Sequence, residues 1–115
     1  MEQGALNYLK REAKSMIGIV KASYMDCVDE LERNGLLSED KKKQQDAVES
    51  AIRALERKHN ELVCAIRSHD QNDCTEGAER TILIFWGSFS ELYNDVLNHL
   101  DKLDEHVCTA TEEQD

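Results

Sequence analysis

Cysteine and histidine carry the most specific chemistry that this chain has, and most of them fall into two groups. The groups are Cys64, His69 and Cys74 in the middle of the chain and His99, His106 and Cys108 near its end. Thiolates and imidazoles close in sequence are typical zinc ligands, but zinc sites usually contain tighter cysteine pairs and a fourth ligand. His99 and His106 are seven residues apart, whereas a metal-binding pair on one helix is typically four apart. The sequence therefore predicts no metal site and no cofactor.

The remaining candidates for chemistry fit a helical core better than a catalytic site. Cys27 and His59 both fall on apolar stripes, where a cysteine acts as a small hydrophobic residue and a buried histidine makes stability depend on pH. Cys64 and Cys74 flank one turn and could reach disulfide distance in an oxidising compartment. No cysteine has the surroundings of a catalytic nucleophile, so the chain is predicted not to be an enzyme.

One fragment, His99-Leu100-Asp101-Lys102, is similar to the His-x-x-Lys core of histidine phosphotransfer domains, which are helical bundles of about this size. The resemblance covers these four residues only. Those domains usually place Gly after the Lys, where this chain has Leu103, and continue with a further helical hairpin. The resemblance implies phosphotransfer at His99.

The elements that hold these residues are three predicted helices, and the third dominates. Its apolar residues follow one another at steps of three and four, which aligns them on one stripe of an α-helix. They are Ile82, Phe85, Phe89, Leu92, Val96, Leu100, Leu103 and Val107. The pattern predicts a helix over about residues 74–107, capped at its start by Asp73 or Thr75.

The same spacing predicts a first helix over about 5–34 and a second over about 38–68. Gly35 ends the first because glycine readily adopts the left-handed conformation of a helix C-terminus. Ser38 is a favourable N-cap for the second. Lys41 and the two lysines after it are interpreted as a solvated helix start.

Long helices with short connections favour an all-α, up-down-up bundle in which helices 1 and 3 run parallel. We assign residues 1–108 to this single domain and 109–115 to a flexible acidic tail. Gly18 and Gly87 lie at similar heights in helices 1 and 3, which suggests a close approach of the two backbones. Both helices are apolar nearly all round at that level, so a helical partner or a second copy is expected to complete the bundle.

Charge is distributed unevenly over the 115 residues, whose net charge is −10. Residues 72–115 hold two basic and eleven acidic side chains. Direct binding to nucleic acid needs clustered Lys and Arg and is not expected. The chain has neither a membrane-spanning run nor a secretory signal pattern, which favours a cytoplasmic location with no membrane contact.

These features predict a protein–protein interaction module, such as an adaptor, chaperone or assembly subunit, that binds a helical partner or forms a homodimer. The apolar candidates lie off the inner stripes or at their edge, and the acidic ones lie on helix 3. The predicted interface is Tyr8, Ile19, Leu83, Ile84, Trp86, Glu91, Asp95, Asp101 and Glu105. Coverage of Leu83 and Ile84 by the chain itself is the alternative for those two residues. The alternative function is an acidic inhibitor: an antitoxin, an immunity protein or a nucleic-acid mimic.

Overall fold

The structure, a computed structural model, is an all-α bundle of three helices. They are α1 (Gln3–Arg33), α2 (Glu39–Gln71) and α3 (Glu76–Glu113). It describes the backbone of residues 3–71 and 76–113 and the side chains of residues 3–69 and 77–104, and this part of the chain contains no strand. The predicted fold class is confirmed.

Polar contacts between the helices fix their directions. Lys21 of α1 pairs with Glu56 of α2 at 3.3 Å, and the Tyr24 hydroxyl, one turn later, donates to Glu49 of α2 at 2.8 Å. As the residue number rises in α1 it falls in α2, so these helices are antiparallel. The start of α2 likewise lies against the far end of α3, where Lys41 Nζ donates to the Leu103 carbonyl at 2.6 Å. Helices α1 and α3 are therefore parallel, as predicted.

The turn between α1 and α2 is built by local backbone chemistry. Gly35 has φ of 64°, the left-handed conformation expected there. Its N–H donates to the Glu32 carbonyl at 3.2 Å, and the Leu36 N–H donates to the Leu31 carbonyl at 2.9 Å, which together form a Schellman motif. Ser38 Oγ then accepts the Lys41 backbone N–H at 3.2 Å and caps α2. Both predicted signals are confirmed.

The core follows a stricter repeat than the sequence pattern indicated, because residues spaced seven apart are buried on every helix. They are Leu6, Ala13, Val20 and Cys27 on α1, Val48, Leu55 and Leu62 on α2, and Ile82, Phe89, Val96 and Leu103 on α3. A seven-residue repeat is typical of helices that pack as in left-handed coiled coils. Residues seven apart on one helix consequently face the same neighbours.

The proposed close approach of Gly18 and Gly87 is wrong. A Cβ atom built on either glycine meets nothing within 4 Å, and both residues are exposed. The glycines do lie in parallel helices, but neither one is packed against a neighbouring helix. Two residues at similar height on parallel helices make contact only when each one points toward the other helix.

Two further details differ from expectation. Lys41 is not part of a solvated start: it is 3% exposed, whereas the next two lysines are exposed. Its ammonium group donates to the Leu103 carbonyl and to Gln44 Oε1, and these acceptors offset the loss of hydration. Helix α3 also continues to Glu113, beyond the predicted end at 107 and into the segment assigned to a tail. Residues 114–115 and the predicted caps Asp73 and Thr75 lie outside the described residues.

Candidate interaction surface

Four of the predicted apolar interface residues lie on the surface. Tyr8 is 57% exposed, Ile19 52%, Leu83 54% and Ile84 60%. Helix geometry explains this, because consecutive residues point about 100° apart and only the stripe that contains Ile82 can face the core. Within the described residues, no neighbouring helix covers Leu83 or Ile84.

Trp86 has a different environment from these four. Its side chain is half-buried, and its ring stacks on the buried ring of Phe89 with 5.8 Å between centroids and 20° between planes. Trp86 thus contributes one face to the core and leaves an edge accessible beside Leu83, which lies one turn earlier on α3. An intermediate position of this kind is common for Trp, which is large enough to serve both environments.

Met25 is a large exposed apolar residue that the sequence interpretation missed. It is 64% exposed and lines a shallow depression of about 360 Å³ between α1 and α2, together with Tyr24, Ile52 and the polar residues around them. The signal that identified Ile19, a large apolar residue outside the inner stripe, applies equally to Met25. Its neighbour Tyr24 belongs to the stripe, and this adjacency concealed it.

The acidic candidates separate into two places. Asp101 lines a groove of about 340 Å³ between α1 and α3, whose other carboxylates are Asp26, Glu30 and Asp104. Glu91 and Asp95 are exposed but do not line this groove. The side chain of Glu105 lies outside the described residues. The sequence interpretation missed Asp26 and Glu30, because their place beside α3 depends on helix packing.

Cys27 lies at the floor of this groove and is 8% exposed. Burial raises the pKa of its thiol, and the carboxylate of Asp104 raises it further, although Lys41 acts in the opposite direction. A raised pKa keeps the sulfur in the weakly nucleophilic thiol form. Cys64 is a free and exposed cysteine on α2. The approach of Cys64 to Cys74 falls outside the described residues.

His59 occupies its predicted place on the inner stripe of α2. It is half-buried, and its ring lies 6.3 Å from that of Phe89. Burial lowers the pKa of His59 and Lys14 lowers it further, whereas Glu56 raises it. Folding therefore disfavours the protonated imidazole.

Tyr24 is a third group whose pKa is shifted by its surroundings. Burial raises the pKa of its hydroxyl, and so do the hydrogen bond to Glu49 and the nearby charge of that carboxylate. The hydroxyl donates this bond in its protonated form, and the contact links α1 to α2.

Among the described side chains, the predicted chemical groups do not form a cluster. No cluster of three or more His, Cys, Asp or Glu side chains within residues 3–69 and 77–104 is arranged to hold a metal ion. His99 is half-buried and Lys102 is exposed. His106 and Cys108 lie outside the described side chains. Within the described ranges, none of the helices contains a stretch long and apolar enough to cross a bilayer.

The described surface thus combines exposed apolar side chains on α1 and α3 with an acidic groove between these two helices. Comparison of the chain with protein-family models, with curated proteins and with solved structures gave no match.

Proposed function

We propose that this protein is a non-enzymatic interaction module that binds a helical protein partner through the apolar side chains of α1 and α3. The observation that supports the proposal most directly is that Ile19, Leu83 and Ile84 are each more than half exposed on otherwise ordinary amphipathic helices. Leu83 and Ile84 are adjacent on α3, and large apolar side chains near one another on a surface mark contact sites more often than isolated ones do. Binding energy would come mainly from these side chains and from Trp86, and charge would set specificity.

Self-association is the second form of this proposal. A homodimer would cover the same apolar surface and would complete the bundle with a second copy. Light scattering on a sizing column gives the mass directly, and reductant in a parallel run removes any contribution from Cys64. A dimer that persists in reductant and is lost in Leu83→Ser supports self-association; a monomer at all concentrations refutes it.

Partner binding is tested by a photo-crosslinking residue placed at position 83, with position 25 as the matched control. Both side chains are exposed by more than half, but Met25 lies between α1 and α2, away from α3. In the native cells, we expect a discrete crosslinked protein from position 83 and none from position 25. Equal crosslinking from both positions would show that exposure alone causes capture.

An acidic inhibitor is the alternative function, and the groove bearing Asp26, Glu30, Asp101 and Asp104 favours it. A partner held mainly by carboxylates would dissociate as salt screens the charges, with a screening length of about 10 Å near 0.1 M salt. A partner held by apolar side chains would survive the same change. The salt dependence of the position-83 crosslink therefore separates the two functions.

A further inference from the structure

The groove between α1 and α3 is one end of a longer seam. Because the core repeats every seven residues, positions seven apart on α3 face the same neighbour. Leu97 and Asp104 line the groove, and the same row continues backward to Ser90 and Leu83. Leu83, which is 54% exposed, thus borders the α1–α3 contact two heptads above the groove.

The facing row on α1 contains Glu12, Ile19 and Asp26, and it changes from apolar to acidic between Ile19 and Asp26. Asp26 lines the groove, and Ile19, 52% exposed, lies seven residues before it. Because the two helices are parallel, both rows change from apolar to acidic side chains toward the same end of the bundle. We call this surface the α1–α3 seam. It has an apolar section bounded by Ile19 and Leu83 and an acidic section bounded by Asp26, Glu30, Asp101 and Asp104.

The seam also has room for another helix. Gly87 follows Leu83 by one turn and is exposed, with open space where a side chain would be, and Ser90 and Ser23 are small. Small residues between larger ones let a helix backbone approach closely. Trp86 lies beside them, with its ring partly accessible above Phe89.

From this arrangement we propose that the α1–α3 seam binds one amphipathic helix of a partner protein, with apolar side chains in one half and Arg or Lys in the other. This inference rests on the proposed function and specifies the partner's chemistry. The helix takes a fourth position in the bundle, with its apolar half over Ile19 and Leu83 and its basic half over the carboxylates. The distance from Leu83 to Asp104 along α3 is about 32 Å, which corresponds to a partner helix of about 21 residues.

A second copy of this chain fits the seam less well than a basic helix does. Two copies related by a two-fold axis with their seams parallel would place eight carboxylates of Asp26, Glu30, Asp101 and Asp104 against one another. The antiparallel arrangement would instead lay each acidic section on the partner's apolar section, which removes charges from water without pairing them. A basic partner satisfies both sections, because its cations pair with the carboxylates while its apolar side chains cover Ile19 and Leu83.

The test is a displayed library of helices about 21 residues long, selected on the full chain. The outward-facing positions are held as Ala and Gln, and the facing positions vary among Leu, Phe, Ser, Arg and Glu. We expect enrichment of peptides with Leu or Phe in one half and Arg in the other. Enrichment of acidic peptides, of peptides apolar along their whole length, or of none above background overturns the proposal.

Variants then locate the enriched peptide, whose Kd is measured by fluorescence anisotropy. Ile19→Ser and Leu83→Ser are each expected to weaken binding about tenfold or more, as for a buried apolar anchor. The double variant Asp101→Asn with Asp104→Asn is expected to weaken binding about tenfold at about 0.01 M salt. It should also reduce the difference between the Kd values measured at about 0.01 and about 0.15 M salt. The only Trp, Trp86, supplies a second signal, since its emission should shift on binding of a Trp-free peptide.

Matched controls come from exposed residues away from the seam. Met25→Ser and the pair Glu91→Gln with Asp95→Asn change the same numbers of apolar groups and charges, and they should leave Kd unchanged. All substituted side chains are exposed, so thermal unfolding should be unaffected and a lost interaction is not a lost fold. Equal weakening by seam and control variants overturns the proposal.

Failure of this inference is distinguishable from failure of the proposed function. If peptide binding requires Ile19 and Leu83 but does not depend on the carboxylates, the proposed interaction module stands and the basic partner is wrong. If the library gives no binder while position 83 still crosslinks to one protein, the partner is of another chemistry. If the library gives no binder and position 83 crosslinks to no protein, both this inference and the proposed function are wrong.

Discussion

Replacement of Phe89 by Ala is the most direct test of how this bundle is held together. Phe89 is fully buried on α3, and its ring stacks on Trp86 and lies 6.3 Å from the ring of His59. Truncation of a buried Phe to Ala costs roughly 3–5 kcal/mol, and an aromatic pair contributes about 0.5–1.5 kcal/mol beyond the area it buries. We therefore expect Phe89→Ala to lower the free energy of unfolding by about 4 kcal/mol.

The assay is urea unfolding followed by far-UV circular dichroism, because the emission of Trp86 would change with its neighbour even if stability did not. Phe85→Ala is the control, since Phe85 is only half-buried and has Lys58 Nζ 5.2 Å above its ring. Its expected loss is about 1–2 kcal/mol. A loss of less than about 1.5 kcal/mol for Phe89→Ala, or equal losses for both variants, would refute the assignment of Phe89 to the centre of the core.

Three other perturbations follow from the same structure. Gly18→Ala and Gly87→Ala should each raise the free energy of unfolding by about 0.5–1 kcal/mol, whereas Gly35→Ala should lower it by about 1 kcal/mol because of its positive φ; urea titrations of the three variants check this. Ser38→Ala should cost about 0.5–2 kcal/mol in the same assay, and Ser38→Gly clearly less. Burial lowers the pKa of His59, so the unfolded chain binds a proton more readily and stability should fall as pH drops below about 6.5. His59→Gln should remove that part of the pH dependence of thermal unfolding; an identical pH profile would contradict it.

The helices and their inner faces could be predicted from the sequence because both are set by local rules. Steps of three and four placed Ile82, Phe89 and Val96 on one stripe, and each is buried. The turn at Gly35 and Ser38 could be predicted for the same reason, since its hydrogen bonds join residues a few positions apart. The sequence signal of such a turn does not depend on how the rest of the chain packs, because its hydrogen bonds involve only nearby residues.

Burial of Lys41 could not be recognised from its neighbours, because it depends on a carbonyl of α3 far away in sequence. The lysines at 41, 42 and 43 look alike in the sequence, and only the first points inward. A signal did exist: Lys41 lies seven residues before Val48, and Leu55 and Leu62 continue that row. A search for strict seven-residue spacing, rather than for steps of three and four, would have placed Lys41 on the inner face.

The candidate surface was predicted in part for a related reason. Exposure of Ile19 and Leu83 follows from their positions around each helix, so the sequence indicated it. Prediction of the acidic groove requires knowledge of helix packing as well, because the groove joins Asp26 and Glu30 of α1 to Asp101 of α3. Residues of two helices become one site only when the register between the helices is known.

The run Ile82, Leu83 and Ile84 shows how far one additional helix can complete this bundle. Consecutive helical residues point about 100° apart, so no single neighbour can cover all three. Ile82 is buried in the core, and a helix on the α1–α3 seam would cover Leu83, whose row borders that seam. Ile84 points a further 100° around α3, beyond the reach of such a helix. Ile84→Ser should therefore leave the Kd of the seam-binding peptide unchanged; a loss equal to that of Leu83→Ser would place the partner on the outer face of α3.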